Sequence, residues 1–184
     1  MSKKFSPKEI LVPTVTLFLI ALMATLLLAL VNNVTADRIA AAQAAAEAEA
    51  RQTVFPDAKN FVEKSNYFEA TDADGNVIGY VFNTASKGYG GDVPVTVGID
   101  ADGAITGIVP GDLSNETPGL GQNASKDSFK AQFVGKTGKI SVVKNAPGEN
   151  EIQALTSATI TSTAVANAVN DAVDQFNVIT GGGK

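Results

Sequence analysis

Thr156-Ser157-Ala158-Thr159-Ile160-Thr161-Ser162 is the stretch around which the rest of the chain is organised. The apolar residues after it are spaced three, four or seven apart, which predicts a helix with one buried face. They are Val165, Val169, Ala172, Val173 and Phe176. A hydroxyl-rich loop therefore runs into a helix N-terminus, where unpaired N–H groups and the helix dipole favour a bound phosphate or another anion. The alternative is that Thr161 or Ser162 simply caps the helix.

The composition narrows the chemistry that the chain can perform. Its 184 residues allow one domain and an anchor, and they include no cysteine and no histidine. This excludes thiolate or imidazole metal sites, iron–sulfur ligation and a triad with a histidine base. If the protein moves electrons, it needs an organic cofactor.

The net charge of −5 is unevenly distributed. Lys3, Lys4 and Lys8 against Glu9 give the N-terminal tail a charge of +2, which leaves −7 for the remainder. Because binding to nucleic acid needs a basic face, we expect no nucleic-acid partner.

The apolar stretch that begins at Ile10 predicts a transmembrane helix over residues 10–34. Lysines precede it and none follows closely, so residues 1–9 form a cytoplasmic tail and everything after Val34 lies outside the cell membrane. A cleaved signal peptide ending at Val34-Thr35-Ala36 is the competing interpretation. It is disfavoured because its apolar region would exceed the usual length of about 7–15 residues.

Residues 35–55 are rich in alanine and glutamate and predict a helical neck. Val54-Phe55-Pro56 ends this neck, because proline cannot continue a helix. The domain that follows covers residues 56–180.

The first half of this domain predicts two β-hairpins with glycine-containing turns. Their strands are Tyr67–Thr71 with Val77–Asn83, and Val93–Ile99 with Ala104–Val109. The Asp-x-Asp-Gly turns do not predict calcium binding. In an EF-hand that starts at Asp72, the sixth position is Val77 rather than glycine and the twelfth is Asn83 rather than glutamate. Further along, the sequence predicts a short helix over Lys126–Phe133 and a strand over Lys139–Val143.

The run Thr156-Ser157-Ala158-Thr159 resembles the flavinylation motif of the FMN-binding domain family. This family is known from the G subunit of Rnf electron-transport complexes and the C subunit of the sodium-pumping NADH:quinone reductase. In it the last threonine of the motif carries FMN as a phosphoester, and Thr159 stands in that place. Ser157 stands where glycine is common, and Gln153 where aspartate is frequent.

Two glycine-containing loops match the same family in the expected order. They are Gly88-Tyr89-Gly90-Gly91 and Glu116-Thr117-Pro118-Gly119-Leu120-Gly121. The resemblance implies that these loops wall the flavin ring. Glycines allow the backbone to approach a flat ring, Leu120 offers an apolar contact and Thr117 offers a hydroxyl. The cofactor-binding residues implied are Thr159, Thr156, Ser157, Ala158, Glu116, Thr117, Leu120 and Tyr89.

The resemblance covers nearly the whole chain and implies an α+β fold. A single N-terminal transmembrane helix is followed by an FMN-binding domain of antiparallel hairpins with flanking helices. The implied function is that of a membrane-anchored electron-carrier subunit with no catalytic site of its own, in an Rnf-type ion-translocating ferredoxin:NAD oxidoreductase complex. The implied partners are the other subunits of that complex, the membrane, and a flavin transferase for maturation.

Three alternatives remain open at this point. The chain is shorter than a usual quinone-reductase C subunit, which disfavours that assignment. A stand-alone extracytoplasmic flavoprotein reductase is disfavoured because it would need a cluster of arginines to bind its substrate. The arginines after the anchor, Arg38 and Arg51, both lie in the neck. The third alternative is a protein without redox function in which Thr159 only caps a helix.

Overall fold

The computed structural model of the chain describes residues 7–181. These residues form two compact units, one that extends to residue 45 and one that starts at residue 46. Residues 1–6 of the predicted cytoplasmic tail lie outside the described residues.

Helix α1 runs over Pro7–Val54, so it makes up the described part of the N-terminal unit and its last turns belong to the second unit. The predicted span and the predicted neck are therefore parts of one continuous helix. Large apolar side chains from Ile10 to Val34 are exposed, as lipid contact requires. Thr14, Thr16 and Thr25 each donate a hydrogen bond to the carbonyl oxygen four residues earlier, at 2.7–2.9 Å. Because these hydroxyls are satisfied within the helix, they are compatible with a hydrocarbon environment.

The second unit is built on a five-stranded antiparallel sheet in which the strands follow chain order. The strands are β1 Asn60–Glu63, β2 Phe68–Thr71, β3 Val77–Lys87, β4 Asp92–Asp100 and β5 Ile105–Pro110. Both predicted hairpins are confirmed. The sequence did not predict β1, nor the pairing of β3 with β4 from Gly79 opposite Asp100 to Lys87 opposite Asp92. This pairing joins the hairpins into one sheet.

The aspartates of the hairpin turns bind backbone N–H groups of their own turns. The carboxylate of Asp72 accepts from the N–H groups of Asp74 and Asn76, at 2.9 and 2.8 Å. The carboxylate of Asp100 accepts from Asp102 and Ala104, at 3.0 and 2.9 Å. These carboxylates therefore stabilise tight turns.

The second half of the domain consists of several short elements followed by one long helix. A 3₁₀ helix covers Gly121–Ser125, and α2 covers only Asp127–Lys130, which is shorter than predicted. The predicted strand at Lys139–Val143 is observed as β6 over Ser141–Val143, and it pairs in parallel with β7, Glu151–Gln153, which the sequence did not reveal. The last helix, α3, runs over Thr159–Thr180.

The main core lies between the sheet and α3. The apolar face predicted for this helix is confirmed, because Val165, Val169 and Ala172 are fully buried and Val173 and Phe176 nearly so. They pack in one cluster with Phe82 of β3 and with residues of β4 and β5. This packing fixes the N-terminal end of α3 relative to the sheet.

A second core lies on the opposite face of the sheet. It contains Val54 and Phe55, at the end of α1, together with Val81, the neighbour of Phe82 in β3. Adjacent strand residues point to opposite faces, so both faces of the sheet are covered. The carbonyl of Val54 accepts a 2.7 Å hydrogen bond from the Thr106 hydroxyl. A side chain at Gly98 would lie 2.9 Å from the Val54 Cβ, so glycine allows this close approach.

We expect Val54→Ala to lower the free energy of unfolding of this domain by about 1–3 kcal/mol, since it removes buried methyl groups and leaves a cavity. Val178→Ala makes the same chemical change on α3 at a side chain that is 81% exposed, and it should cost less than about 0.5 kcal/mol. Chemical denaturation of the detergent-solubilised chain, followed by tyrosine fluorescence, measures both. Equal losses in the two variants would contradict a structural role for the end of α1.

Candidate functional site

Three loop segments meet at one end of the sheet. They are the β3–β4 turn Gly88–Gly91, the loop of residues 111–120 that follows β5, and the loop of residues 154–158 that leads into α3. They surround a cleft with a volume of about 510 Å³. The cleft is lined by Tyr89, Thr117, Leu120, Gly121, Ser157, Ala158, Thr159, Ile160 and Thr161.

Most of the predicted cofactor-binding residues are therefore brought together, although they come from three distant parts of the sequence. Tyr89, Thr117, Leu120, Ser157, Ala158 and Thr159 all line the cleft. Thr156 and Glu116 do not line it.

Thr159 is the first residue of α3, and it is exposed in the cleft. The N-cap position is occupied by Ala158, and no side chain caps the helix. Thr161 and Ser162 are buried and lie within α3 rather than at its N-cap position, so the interpretation of either residue as the N-cap is wrong. The interpretation in which Thr159 caps the helix is also wrong, because Thr159 is the first helical residue. The backbone N–H groups of the first turn have no intrahelical acceptor and face the start of the helix.

Ser157 has the left-handed φ of +60°. It is the third residue of a turn that is closed by the N–H of Ala158 donating to the carbonyl of Leu155, at 3.0 Å. Turns whose third residue has a positive φ usually have glycine at that position. This backbone conformation explains why glycine suits the position, and serine occupies it here at a modest cost in strain.

Ser162 holds the same turn against the helix. Its hydroxyl donates to the carbonyl of Ala158 and accepts from the N–H of Leu155, both at 2.9 Å. The turn and the first residues of α3 are thereby joined by two hydrogen bonds, and Thr159 lies at this junction.

Glu116 lies beneath the cleft, with only 2% of its surface exposed. One carboxylate oxygen accepts hydrogen bonds from the N–H groups of Tyr89 and Gly90, both at 3.0 Å. The other oxygen accepts from the hydroxyl of Thr161 at 2.5 Å. Burial of Glu116 raises its pKa, but the hydrogen bonds from Thr161, Gly90 and Tyr89 together outweigh this effect, so its pKa lies below the ordinary value of 4.5.

The glycines of the two loops permit close packing of protein against protein. A Cβ atom on Gly90 would overlap the backbone carbonyl oxygen of Asn115, and one on Gly88 would lie 2.6 Å from the carboxylate of Glu116. The sequence had suggested that these glycines let the backbone approach a flat ring. In the structure the space beside Gly88 and Gly90 is occupied by Asn115 and Glu116.

Sequence reasoning missed two residues of the site, namely Ile160 and Thr161, whereas Gly121 belongs to the second of the two predicted loops. The helical period did contain a signal for Thr161, because it stands four residues before Val165 and so on the buried face. Ile160 is a large apolar residue next to Thr159, and it is 55% exposed. The sequence does not show this exposure, because it depends on where the helix starts.

Comparisons with known proteins identify the family of the chain. Residues 88–174 match the model of the FMN-binding domain family, and residues 1–54 match the model of the RnfG N-terminal region. The chain is 35% identical to the G subunit of the proton-translocating ferredoxin:NAD(+) oxidoreductase complex of Clostridium ljungdahlii, with 99% of this chain and 100% of that protein covered. It is 41% identical to the G subunit of the Na(+)-translocating complex of Acetobacterium woodii, with 87% and 88% covered.

The chain belongs to the RnfG family. Among solved structures, NqrC of Shewanella oneidensis has the same fold, with a TM-score of 0.50 and 19% identity over 63% of this chain and 65% of that one. The long apolar N-terminal helix and these relatives make this RnfG family member a membrane-anchored protein.

The cleft of this RnfG family member fits FMN. Its volume lies within the range of about 300–1,000 Å³ that is usual for cofactor sites. Leu120 and Ile160 give it apolar side chains, Tyr89 an aromatic ring, and Thr117 and Thr159 hydroxyls. The uncapped first turn of α3 gives it N–H groups that suit a phosphate.

We expect Gly90→Ala to destabilise the domain by about 2–3 kcal/mol, because the added methyl group overlaps the carbonyl oxygen of Asn115 and forces the loops apart. Gly91→Ala is the matched control. Its Cβ would lie 3.5 Å from the Asn115 side chain, an ordinary contact, and should cost less than about 0.5 kcal/mol. Chemical denaturation measures both, and a similar loss in the two variants would contradict the close packing at Gly90.

The lowered pKa of Glu116 predicts a pH dependence of stability. A carboxyl whose pKa is lowered by folding stabilises the fold above its unfolded-state pKa, and this contribution disappears as the pH falls through the folded-state value. We expect Glu116→Gln to unfold more easily than the original protein at pH 7, by about 1–3 kcal/mol. The difference should shrink below pH 4.5, the ordinary value for this group.

Denaturation series between pH 7 and pH 3 measure this difference. Asp72, Asp112 and Asp127, whose pKa values hydrogen bonds also hold low, are present in both proteins and cancel. A difference in stability that stays constant across the range would show that Glu116 does not contribute through its charge.

Proposed function

We propose that this chain is the electron-carrier G subunit of an ion-translocating ferredoxin:NAD oxidoreductase complex, and that it carries FMN bound covalently by a phosphoester to Thr159. The observation that supports this proposal best is the position of Thr159. This residue is exposed, lines a cofactor-sized cleft and stands at the uncapped N-terminus of a long helix.

The residues of the cleft divide between the two ends of such a cofactor. The N–H groups at the start of α3 suit the phosphate, because the helix dipole also favours negative charge there. Leu120, Ile160 and Tyr89 are 38%, 55% and 70% exposed, and they offer apolar and aromatic surface to the ring system. The hydroxyl of Thr117 offers a hydrogen bond. When bound, FMN supplies the redox chemistry, and the protein supplies position and electrostatics.

A covalent bond suits a subunit of this kind. The positive-inside rule applied to Lys3, Lys4 and Lys8 favours a cytoplasmic N-terminus and a domain on the far side of the membrane. A flavin released there would diffuse away, whereas a tethered one remains. The partners that we propose are the other subunits of the complex, with a flavin transferase that attaches the cofactor. The chain offers no catalytic site of its own in this proposal.

We expect Thr159→Ala to abolish covalent flavin while leaving the domain folded, because it removes one exposed hydroxyl. Thr163→Ala is the matched control, since it removes an exposed hydroxyl four residues later that lies outside the motif and does not line the cleft. Each protein is produced together with a flavin transferase. Intact mass and flavin fluorescence in a denaturing gel measure attachment. A fluorescent Thr159→Ala band would assign the bond to another residue, and an original protein without added FMN mass would overturn the proposed function.

A further inference from the structure

We infer that Glu116 is a positioning residue, which fixes the walls of the cleft relative to one another and thereby restricts the motion of the flavin. This inference rests on the proposed function, since it concerns the cofactor that the cleft holds. It assigns Glu116 a role different from the direct contact with the cofactor that the sequence motif implies.

The argument starts from the place of Glu116 in the loops. The residue itself belongs to the loop after β5. Its carboxylate accepts from Tyr89 and Gly90 in the β3–β4 turn and from Thr161 in the first turn of α3. One side chain thus bonds to both of the other walls of the cleft.

No second connection of this kind exists among residues 7–181. Within that range, the hydrogen bonds of Glu116 are the only ones that join the turn Gly88–Gly91, the loop of residues 111–121 and the segment of residues 154–161 to one another. The other hydrogen bonds of these segments lie within a segment, connect it to its flanks, or connect it to a strand: the N–H of Gly111 donates to Pro94 of β4 and the N–H of Ala154 donates to Val143 of β6, both at 2.8 Å. Loss of the carboxylate therefore leaves three loops without a polar connection.

Small residues keep this carboxylate close to its partners. A Cβ atom on Gly88 would lie 2.6 Å from one carboxylate oxygen of Glu116, and one on Gly121 would lie 2.7 Å from the other. Both oxygens are therefore enclosed by backbone. A buried carboxylate is costly unless it is fully hydrogen-bonded, so its three donors and this enclosure form one cooperative unit.

Each residue that Glu116 holds is next to, or part of, the cleft surface. Tyr89 and Thr161 line the cleft, and Thr161 is two residues from Thr159, the proposed attachment point. Tyr89 is 70% exposed, so little packing holds its side chain. The hydrogen bonds from the N–H groups of Tyr89 and Gly90 therefore fix the backbone from which the aromatic ring projects.

The test uses the full-length chain, produced with a flavin transferase and kept in detergent. We expect Glu116→Gln and Thr161→Val to retain the mass of FMN but to lose flavin fluorescence anisotropy, with an added decay component on about the nanosecond scale. Thr161→Val keeps the side-chain shape and the Glu116 charge and removes only the hydroxyl, so it also decides the case if Glu116→Gln fails to fold. Thr161→Ser, which keeps the hydroxyl, should retain the original anisotropy.

Asp112→Asn is the matched control for loss of a hydrogen-bonded carboxylate from the same loop. Asp112 is exposed, and its side chain accepts from the N–H and hydroxyl of Ser114 without reaching either of the other walls. We expect its flavin anisotropy to equal that of the original protein. A substitution that only lowers the free energy of unfolding should also leave the flavin anisotropy equal to that of the original protein. Anisotropy therefore distinguishes loss of positioning from general destabilisation.

Amide hydrogen exchange on flavin-free protein provides a readout that needs no cofactor. Residues 88–91 and 159–161 should exchange faster in Glu116→Gln and Thr161→Val than in Asp112→Asn. Unchanged anisotropy and unchanged exchange in both variants would overturn the inference. If the original protein, produced with a flavin transferase, carries no FMN mass, the proposed function is wrong. The hydrogen-exchange data on flavin-free protein then decide by themselves whether Glu116 joins the walls of the cleft.

Discussion

A single buried carboxylate joins the three segments that form the cleft. Glu116 is 2% exposed, and water cannot solvate it, so its charge must be balanced by donors from the protein. The donors come from the β3–β4 turn and from the start of α3, which lie far from Glu116 and from each other in sequence. The same hydrogen bonds that offset the cost of burial therefore hold together the segments that form the cleft.

The sheet makes this meeting possible. The pairing of β3 with β4 in register up to Lys87 and Asp92 turns the Gly88–Gly91 run into a tight connection at one end of the sheet. Helix α3 packs along β3 and β4 through its small and β-branched face, and this packing brings its first residue, Thr159, to the same end. The cleft is thus a consequence of strand register on one side and of helix packing on the other.

The end of α1 covers the opposite face of the sheet. The last turns of α1 are an element of the second core, with Val54 and Phe55 buried against the strands. Arg51 lies over the ring of Phe68 at 4.3 Å, so one of the two arginines in the sequence has a packing role. A helix that the sequence suggests is a spacer is, at its end, part of the folded domain.

The sequence by itself determined the elements that depend on local order. The apolar run predicts α1, the alternation and turn glycines predict both hairpins, and the 3.6-residue period of Val165, Val169 and Val173 predicts the buried face of α3. These three predictions are confirmed, because each signal lies within one short segment. The threonine run also marks Thr159, whose role as the attachment point stays a prediction.

Only the tertiary structure decided how these segments combine. It placed Glu116 under the cleft rather than on its surface, made Thr161 its partner, and excluded a capping role for the hydroxyls near the start of α3. It also showed that Gly88 and Gly90 make room for Glu116 and Asn115. Such contacts join residues that are dozens of positions apart, and no periodicity or local propensity records which distant group will occupy the space beside a glycine or a buried hydroxyl.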